Sequence, residues 1–258
     1  MVTTQLDERV RILLDAEAEG REVGRIDPDG ALSEDEAYRL QFQGIDAKVA
    51  GGDSVIGLKT GLTSRAKQET MGVHQPIFGH LLQSTVVPEG APVSCAELIH
   101  PRAEPELAFL LERDLEGPVT AAQAAHATAL VFPAVEIIDS RFLNFKFGLS
   151  DVIADNTSAS RVIFGSAFLK PTDADLRLIG MVYAKNGIVE STAAGAAILG
   201  NPWEALAWLA RRASELGRPL QAGHMVLAGA LADAVFVNPG DSVRVEFDKL
   251  GSLTVPFV

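Results

Sequence analysis

Two glutamates, Glu104 and Glu106, stand two residues apart at the head of an apolar run, Leu107-Ala-Phe-Leu-Leu111. The two-residue period of an extended strand puts both side chains on one face. Neighbouring carboxylates repel, and beside a hydrophobic core they need a proton or a cation to neutralise them. A third acid, Glu136, interrupts the apolar stretch Val131-Phe-Pro-Ala-Val-Glu136-Ile-Ile138. Buried carboxylates are ordinarily paired or metal-bound. Three of them, with no cluster of Cys or His to match, describe an oxygen-only site suited to Mg2+ or Mn2+ rather than Zn2+. Plainer readings compete: Glu104 and Glu106 as a solvated sheet edge, and Glu136 as the partner of Arg141 or Arg102. Lys59 lies between glycines in Gly57-Leu-Lys-Thr-Gly61 at a strand end. Facing the acids, it would hold an anionic substrate or transfer a proton; otherwise it is a surface lysine.

These residues need elements to position them. The first fifty residues read as helical: a mostly charged segment over 6–19, then a helix opened by the capping box Ser33-Glu34-Asp35-Glu36 and closed by Gly51-Gly52. From Ser54 the pattern changes to short strands, expected at 55–59, 81–87, 107–111, 131–138, 161–164, 181–185, 188–191, 225–228, 242–247 and 252–258. Asn186-Gly187 predicts a hairpin turn. Two helices interrupt the strands, one from Thr120 to about Leu130 and one from Pro202 to Gly217. The organisation expected is a helical N-terminal subdomain over 1–53 and a β-rich, metal-binding catalytic domain over 54–258, α+β in class.

Composition narrows the partners. The 258 residues are 47% hydrophobic and 22% charged, which excludes a disordered chain. A formal charge of −12 without a Lys/Arg cluster argues against nucleic acid and anionic membranes. One cysteine, Cys95, forms no internal disulfide, and no basic leader or 20-residue apolar run is visible; cytoplasmic localisation is expected. His74, His80 and His224 are too scattered for a His-based metal site, His126 reads as core or surface in an Ala-rich helix, and Trp203 and Trp208 read as packing residues.

A series of ordered blocks carries a family resemblance: Gly57-Leu-Lys-Thr-Gly-Leu-Thr63, Gly72-Val-His-Gln-Pro-Ile-Phe-Gly79, Pro101-Arg-Ala-Glu-Pro-Glu106, Glu136-Ile-Ile-Asp-Ser-Arg141, Ala154-Asp-Asn-Thr-Ser158, Gly195-Ala-Ala-Ile-Leu-Gly200 and Pro239-Gly-Asp241. From about residue 30 to the C-terminus the chain resembles the 2-keto-4-pentenoate hydratase / 4-oxalocrotonate decarboxylase family of the fumarylacetoacetate hydrolase superfamily. The resemblance implies a fumarylacetoacetase C-terminal-like fold, a twisted mixed β-barrel or roll with flanking helices. It also implies a divalent ion, Mg2+ with Mn2+ as the alternative, held by Glu104, Glu106 and Glu136. Where hydratases resemble Gln-Pro-Asp-Phe-Gly, this chain has Gln75-Pro-Ile77-Phe-Gly79. Asn144-Phe-Lys-Phe147 and Ser158-Ala-Ser-Arg161 are similar to the decarboxylase branch, while His74-Gln75 is hydratase-like.

The activity this implies is decarboxylation of 2-oxohex-3-enedioate (4-oxalocrotonate) to 2-hydroxypenta-2,4-dienoate and CO2 in the meta-cleavage degradation of aromatic compounds. The alternatives are hydration of 2-hydroxypenta-2,4-dienoate and a non-catalytic partner of the pathway hydratase. Lys59 is expected to bind a substrate oxygen or deliver a proton, Ser158 to orient the substrate carboxylate and Asp155 to support them. Lys59, Leu62 and Arg161 are the expected substrate contacts, Arg161 being a candidate for the departing carboxylate or a structural residue. Arg102 is expected to pin the carboxylates rather than touch substrate. The expected partners are a 2-oxo dicarboxylate, a pathway hydratase and further copies of the chain.

Overall fold

A computed structural model describes residues 6–64, 68–69 and 72–258. Helix α1 (Glu8–Glu19) starts where the Asp7 carboxylate accepts the Arg9 N–H and stops at Gly20 in the left-handed conformation. Helix α2 (Glu34–Ala50) opens on the capping box, the Ser33 hydroxyl accepting from Glu36 N–H while the Glu36 carboxylate accepts from Ser33 N–H. The chain then runs through β1 (Val55–Gly61), β2 (Ile77–Leu82), β3 (Arg102–Leu111), α3 (Ala121–His126), β4 (Thr128–Ile138), α4 (Leu149–Ala154), β5 (Ala159–Phe164), β6 (Gly180–Lys185), β7 (Ile188–Ala194), α5 (Pro202–Glu215), β8 (Met225–Ala230), β9 (Val235–Phe236), β10 (Ser242–Phe247) and β11 (Gly251–Pro256). None of the described helices is long and apolar enough to cross a membrane.

Two sheets result. The larger has the order β2-β1-β8-β3-β4-β5, with β9 also pairing with β3. All its pairings are antiparallel except β1 with β8. It curls until its ends meet: Val86, just beyond β2, bridges Val162 of β5, and Val87 N–H donates to Val162 O at 2.9 Å. The smaller sheet, β11-β10-β6-β7, packs on the outside of this roll, where the Tyr183 hydroxyl donates to Ala103 O at 2.9 Å. The fold is the mixed α+β roll with flanking helices that the sequence led one to expect.

Strand parity assigns every side chain of the roll to a side. On β3 and β4 the odd residues Leu107, Phe109, Val131, Val135 and Ile137 point outward into the main core, against the small sheet and α5. There Phe109 stacks on Trp203 with ring centroids 4.7 Å apart. The even residues point inward. A lower set, Leu81, Ala108, Ala134, Val162 and Leu227, closes into a small apolar floor. Above it, on the same face, stand the acids. Fully burying each large aliphatic or aromatic side chain contributes about 1.5–3 kcal/mol, so the outer core holds the roll in the shape that forces the acids together.

Several boundaries differ from the sequence reading: β3 begins at Arg102 rather than 107, and the short elements Leu149–Ala154 and Val235–Phe236 are additional. The strand expected at 81–87 is Ile77–Leu82, followed by a 3-10 turn at Gln83–Thr85, because pairing runs from Ile77 opposite Gly61 to Leu82 opposite Val55. The helix expected to reach Leu130 ends at His126. Thr128 begins an eleven-residue strand because β4 must match the whole of β3, and that pairing overrides a helical reading of 127–130. Elsewhere the hairpin turn forms at Asn186-Gly187, both with positive φ.

A buried amide fastens α2 to the roll. Gln41 donates through Nε2 to the carbonyls of Phe78 (3.0 Å) and Ile153 (2.7 Å) and faces His80 Nδ1 with Oε1 at 3.1 Å. With Nε2 committed as donor, Oε1 is an acceptor and His80 must carry its proton on Nδ1. Burial drives the His80 pKa from 6.5 down to about 3, so the ring stays neutral. The unfolded chain takes up this proton below about pH 6.5 and the folded chain does not. Stability is therefore fully present above pH 6.5 and lost as pH falls toward 3, by on the order of 4 kcal/mol. His80→Asn keeps a donor near the Nδ1 position and removes the titration. Urea unfolding between pH 8 and 4 is expected to show a shallower acid limb for this variant than for the parent chain.

Candidate active site

The three acids converge as strand parity dictates. Glu104 on β3 lies directly opposite Glu136 on β4, and Glu106 opposite Ala134, so all three project from one face of adjacent strands. Each offers a carboxylate oxygen, and these oxygens lie within 4.8 Å of one another. Glu106 and Glu136 are wholly inaccessible to solvent. Gly229 on β8 donates its N–H to Glu106 Oε2 at 2.7 Å. Gly229 has φ +111°, and a Cβ there would meet the Thr63 side chain, so this strand end admits glycine alone.

Lys59 comes from β1, in register with Gly79 on one side and Leu227 on the other, which places it on the same inner face. Its Nζ lies 3.1 Å from Glu136 Oε2 and donates to Thr157 O at 3.0 Å. That one ammonium does not balance the two wholly buried carboxylates of Glu106 and Glu136. Burial pushes the Glu136 carboxyl up to about 7, with Lys59 opposing the rise, and raises Glu106 well above the ordinary carboxylate range, helped by Glu136 and Glu104. Glu106 Oε1 and both oxygens of Glu136 accept no well-formed hydrogen bond although all are buried. Orphaned, mutually repelling oxygens of this kind are the donor set that a hard divalent cation satisfies.

A cavity of about 440 Å3 opens beside the cluster. Lys59, Leu62, Glu104 and Ser158 line it, with Ile77, Ile138, Val152, Phe145 and Phe147 as apolar walls. Among the described residues, those lining it all fall between Lys59 and Ala234.

The wall bearing Ser158 is strained. Asn156, Thr157 and Ser158 have φ of 50°, 53° and 56°, three non-glycine residues in the left-handed region, one of them β-branched. Such a conformation costs of order 1–3 kcal/mol per residue and persists only where the surroundings impose it. Here they do. Asn156 bridges β2 like a strand neighbour, accepting from His80 N–H at 2.7 Å and donating to His80 O at 2.9 Å. The Thr157 hydroxyl donates to Phe78 O at 2.7 Å. A Cβ on Gly79 would sit 2.5 Å from Asn156 O, which explains the glycine of Phe78-Gly79. Ser158 accepts from Asp139 N–H through its carbonyl, while its buried Oγ has no protein partner.

Of the residues singled out from the sequence, Lys59, Leu62, Glu104 and Ser158 meet at the cavity, with Glu106 and Glu136 in the cluster behind it. Asp155 does not reach the cavity. Its carboxylate holds the Arg141 guanidinium, whose Nη2 donates to Asp155 O at 2.6 Å, so the pair clamps the start of the strained loop. Arg141 is therefore committed to Asp155, and the partner of Glu136 is Lys59 rather than Arg141 or Arg102. Arg161 lies outside the cavity as well. It pairs with Ile137, an outward residue, and thus points away from Glu136; its Nη2 reaches Glu97 at 3.1 Å. The resemblance marks Ile77 and the Asn144–Phe147 block, but only as branch-specific positions; that Phe145, Phe147, Ile77 and Arg102 wall one cavity is new. No spacing pattern marks these residues, which arrive from three separate segments.

Two outcomes follow. Adding Mg2+ to about 100 times its Kd is expected to stabilise the protein by about 2.7 kcal/mol in thermal unfolding. Glu106→Gln is expected to abolish that gain while leaving the metal-free melting temperature equal to or above the parent's, because a buried like charge is gone. Asp155→Ala leaves the Arg141 guanidinium buried without its carboxylate, and denaturant unfolding should register a loss of about 3–5 kcal/mol.

The fumarylacetoacetate hydrolase C-terminal family matches residues 55–258. A 4-oxalocrotonate decarboxylase of Pseudomonas sp. (strain CF600) is 43% identical over 224 residues, 86% of this chain and 85% of that protein. A 2-keto-4-pentenoate hydratase of Paraburkholderia xenovorans (strain LB400) is 36% identical over 260 residues, all of this chain and 96% of that protein. The solved structure of 4-oxalocrotonate decarboxylase from Pseudomonas putida G7, complexed with magnesium and adipate, superposes with a TM-score of 0.96 at 37% identity, covering 100% of this chain and 99% of that one. With the family matched across the roll and relatives of this identity spanning nearly the whole length, the chain belongs to the fumarylacetoacetate hydrolase C-terminal family.

Proposed function

We propose that this protein is a Mg2+-dependent carboxy-lyase that converts 2-oxohex-3-enedioate to 2-hydroxypenta-2,4-dienoate and CO2. The observation that carries the reading is the buried Glu104–Glu106–Glu136 cluster, in which Glu106 and Glu136 keep oxygens without a hydrogen-bond partner among the described residues, opening beside Lys59 into an apolar-walled cavity. The similarity to 4-oxalocrotonate decarboxylases, one of them solved with magnesium and a six-carbon diacid, supports the same conclusion. Residues 54–258 would carry the chemistry, with the helical segment 1–53 as a buttress behind the strained loop.

Glu104, Glu106 and Glu136 would hold the ion, which supplies Lewis-acid stabilisation of the charge that develops on a 2-oxo acid. The residues of the chain account for the rest. Lys59 donates one N–H to Thr157 O and stands in ionic contact with Glu136, which leaves an N–H for the 2-oxo oxygen of the substrate. Ser158 Oγ, buried and without a protein partner, is placed to donate to a substrate carboxylate. Breaking C5–C6 sends its electron pair to C4=C5, moves the C3=C4 pair to C2=C3 and leaves negative charge on the 2-oxo oxygen. Lys59 Nζ is positioned to give that oxygen its proton, forming the dienol. The walls of Leu62, Ile77, Val152, Phe145 and Phe147 exclude water, which favours converting a charged carboxylate into neutral CO2.

Hydration of the dienol is the second reading, favoured by the matching hydratases. The wall position that would bear the hydratases' acid is Ile77, wholly apolar and buried, and it offers no proton for water addition. Purified protein with Mg2+ is therefore expected to release CO2 from 2-oxohex-3-enedioate and to leave the absorbance of 2-hydroxypenta-2,4-dienoate unchanged. Consumption of the dienol without CO2 release from the diacid would make it the hydratase instead. Lys59→Met should lower kcat by about 10^2- to 10^4-fold while Mg2+ binding, followed by calorimetry, persists.

A further inference from the structure

Arg102 has a different place from the one its sequence position suggested. It precedes Glu104 by two residues on β3, so it shares the inner face about 7 Å along the strand, and its side chain lines the cavity. Among the described residues, the other cations near the site are committed: Arg141 to Asp155, Arg161 to Glu97 and Lys59 to Glu136. Arg102 makes no ion pair among the described residues, and its buried Nε finds no hydrogen-bond acceptor. What it does have is a ring. Its guanidinium carbon lies 4.0 Å from the centroid of Phe145.

That ring is itself fixed. Phe145 has φ +58° and meets His100 edge-on at 6.0 Å; His100 Nε2 lies 2.6 Å from Glu22 Oε1, and Glu22 also accepts the Asn144 N–H at 2.8 Å. A guanidinium stacked on an immobilised ring keeps its N–H fork in one plane, already oriented for a carboxylate. We infer that Arg102 is the specificity-determining residue that grips a second carboxylate on the substrate, at the end of the cavity remote from the 2-oxo acid. The inference rests on the proposed reading of the cavity as a 2-oxo-acid site. The grip forms in the bound ground state and loosens as the carboxylate becomes neutral CO2, so it sets which acids bind and does not speed the loss of CO2.

The test compares 2-oxoadipate with 2-oxohexanoate, six-carbon acids with the same 2-oxo head and differing in the far carboxylate, by calorimetry on the Mg2+-loaded protein. The parent chain is expected to prefer 2-oxoadipate by about 10- to 100-fold. Arg102→Met should bring the two to near parity by weakening 2-oxoadipate alone, and Arg102→Lys should retain part of the preference. With 2-oxohex-3-enedioate, KM should rise by a similar factor while kcat holds or rises, because the gripped carboxylate loses its charge as CO2 forms. A preference that survives in Arg102→Met, equal weakening of both acids, or a fall in kcat at constant KM would overturn the inference and leave the cavity reading standing. Equal binding of the two acids by the parent chain would do the same. If the parent binds neither acid, the cavity reading itself falls, and the role of Arg102 with it.

Discussion

Three carboxylates held within 4.8 Å of one another, two of them shut away from water, constitute the arrangement on which the rest of this structure depends. Left alone, such a group opposes folding through desolvation and mutual repulsion. The fold nevertheless imposes it, because β3 and β4 are paired along their full length and their outward residues are locked into the main core. Shifting either strand by one residue would turn the acids outward and bury their apolar neighbours in the roll. The register that satisfies the core is therefore the register that assembles the acids.

The same economy governs the opposite wall. The left-handed run Asn156-Thr157-Ser158 stores strain that hydrogen bonds to β2, the Arg141–Asp155 pair and the close approach of Gly79 together offset. Lys59 connects the two walls, touching Glu136 on one and the Thr157 carbonyl on the other. Charge and strain thus meet at a single ammonium group. Strand register holds Lys59 and the three acids in place, the kind of fixed arrangement on which electrostatic catalysis relies.

The N-terminal helices contribute indirectly. Gln41 of α2 bonds the carbonyls of Phe78 and Ile153, tying together the strand and the helix between which the strained loop is suspended. Glu22, in the connection between α1 and α2, reaches the segment that carries Phe145. Neither helix lines the cavity, yet both fix elements that do.

Much of this was legible in the residues. A Glu-x-Glu pair heading an apolar run, a glutamate inside another and a lysine between glycines named the polar groups and the class of cation, because strand periodicity and the cost of buried charge are local properties. Capping boxes and the Asn-Gly turn likewise set the helix starts and a hairpin. Tertiary structure decided the rest. Whether Arg141, Arg102 or Lys59 would answer Glu136 depended on which strands became neighbours. Arg161 turned outward because its partner in the register is Ile137, and Asp155 became a clamp because Arg141 lies behind it. Arg102 joined the cavity through the placement of Phe145, a residue 43 positions away in a loop with no periodic signature. Spacing along a chain reveals which groups share a face; only the closing of the sheet determines what stands across from them.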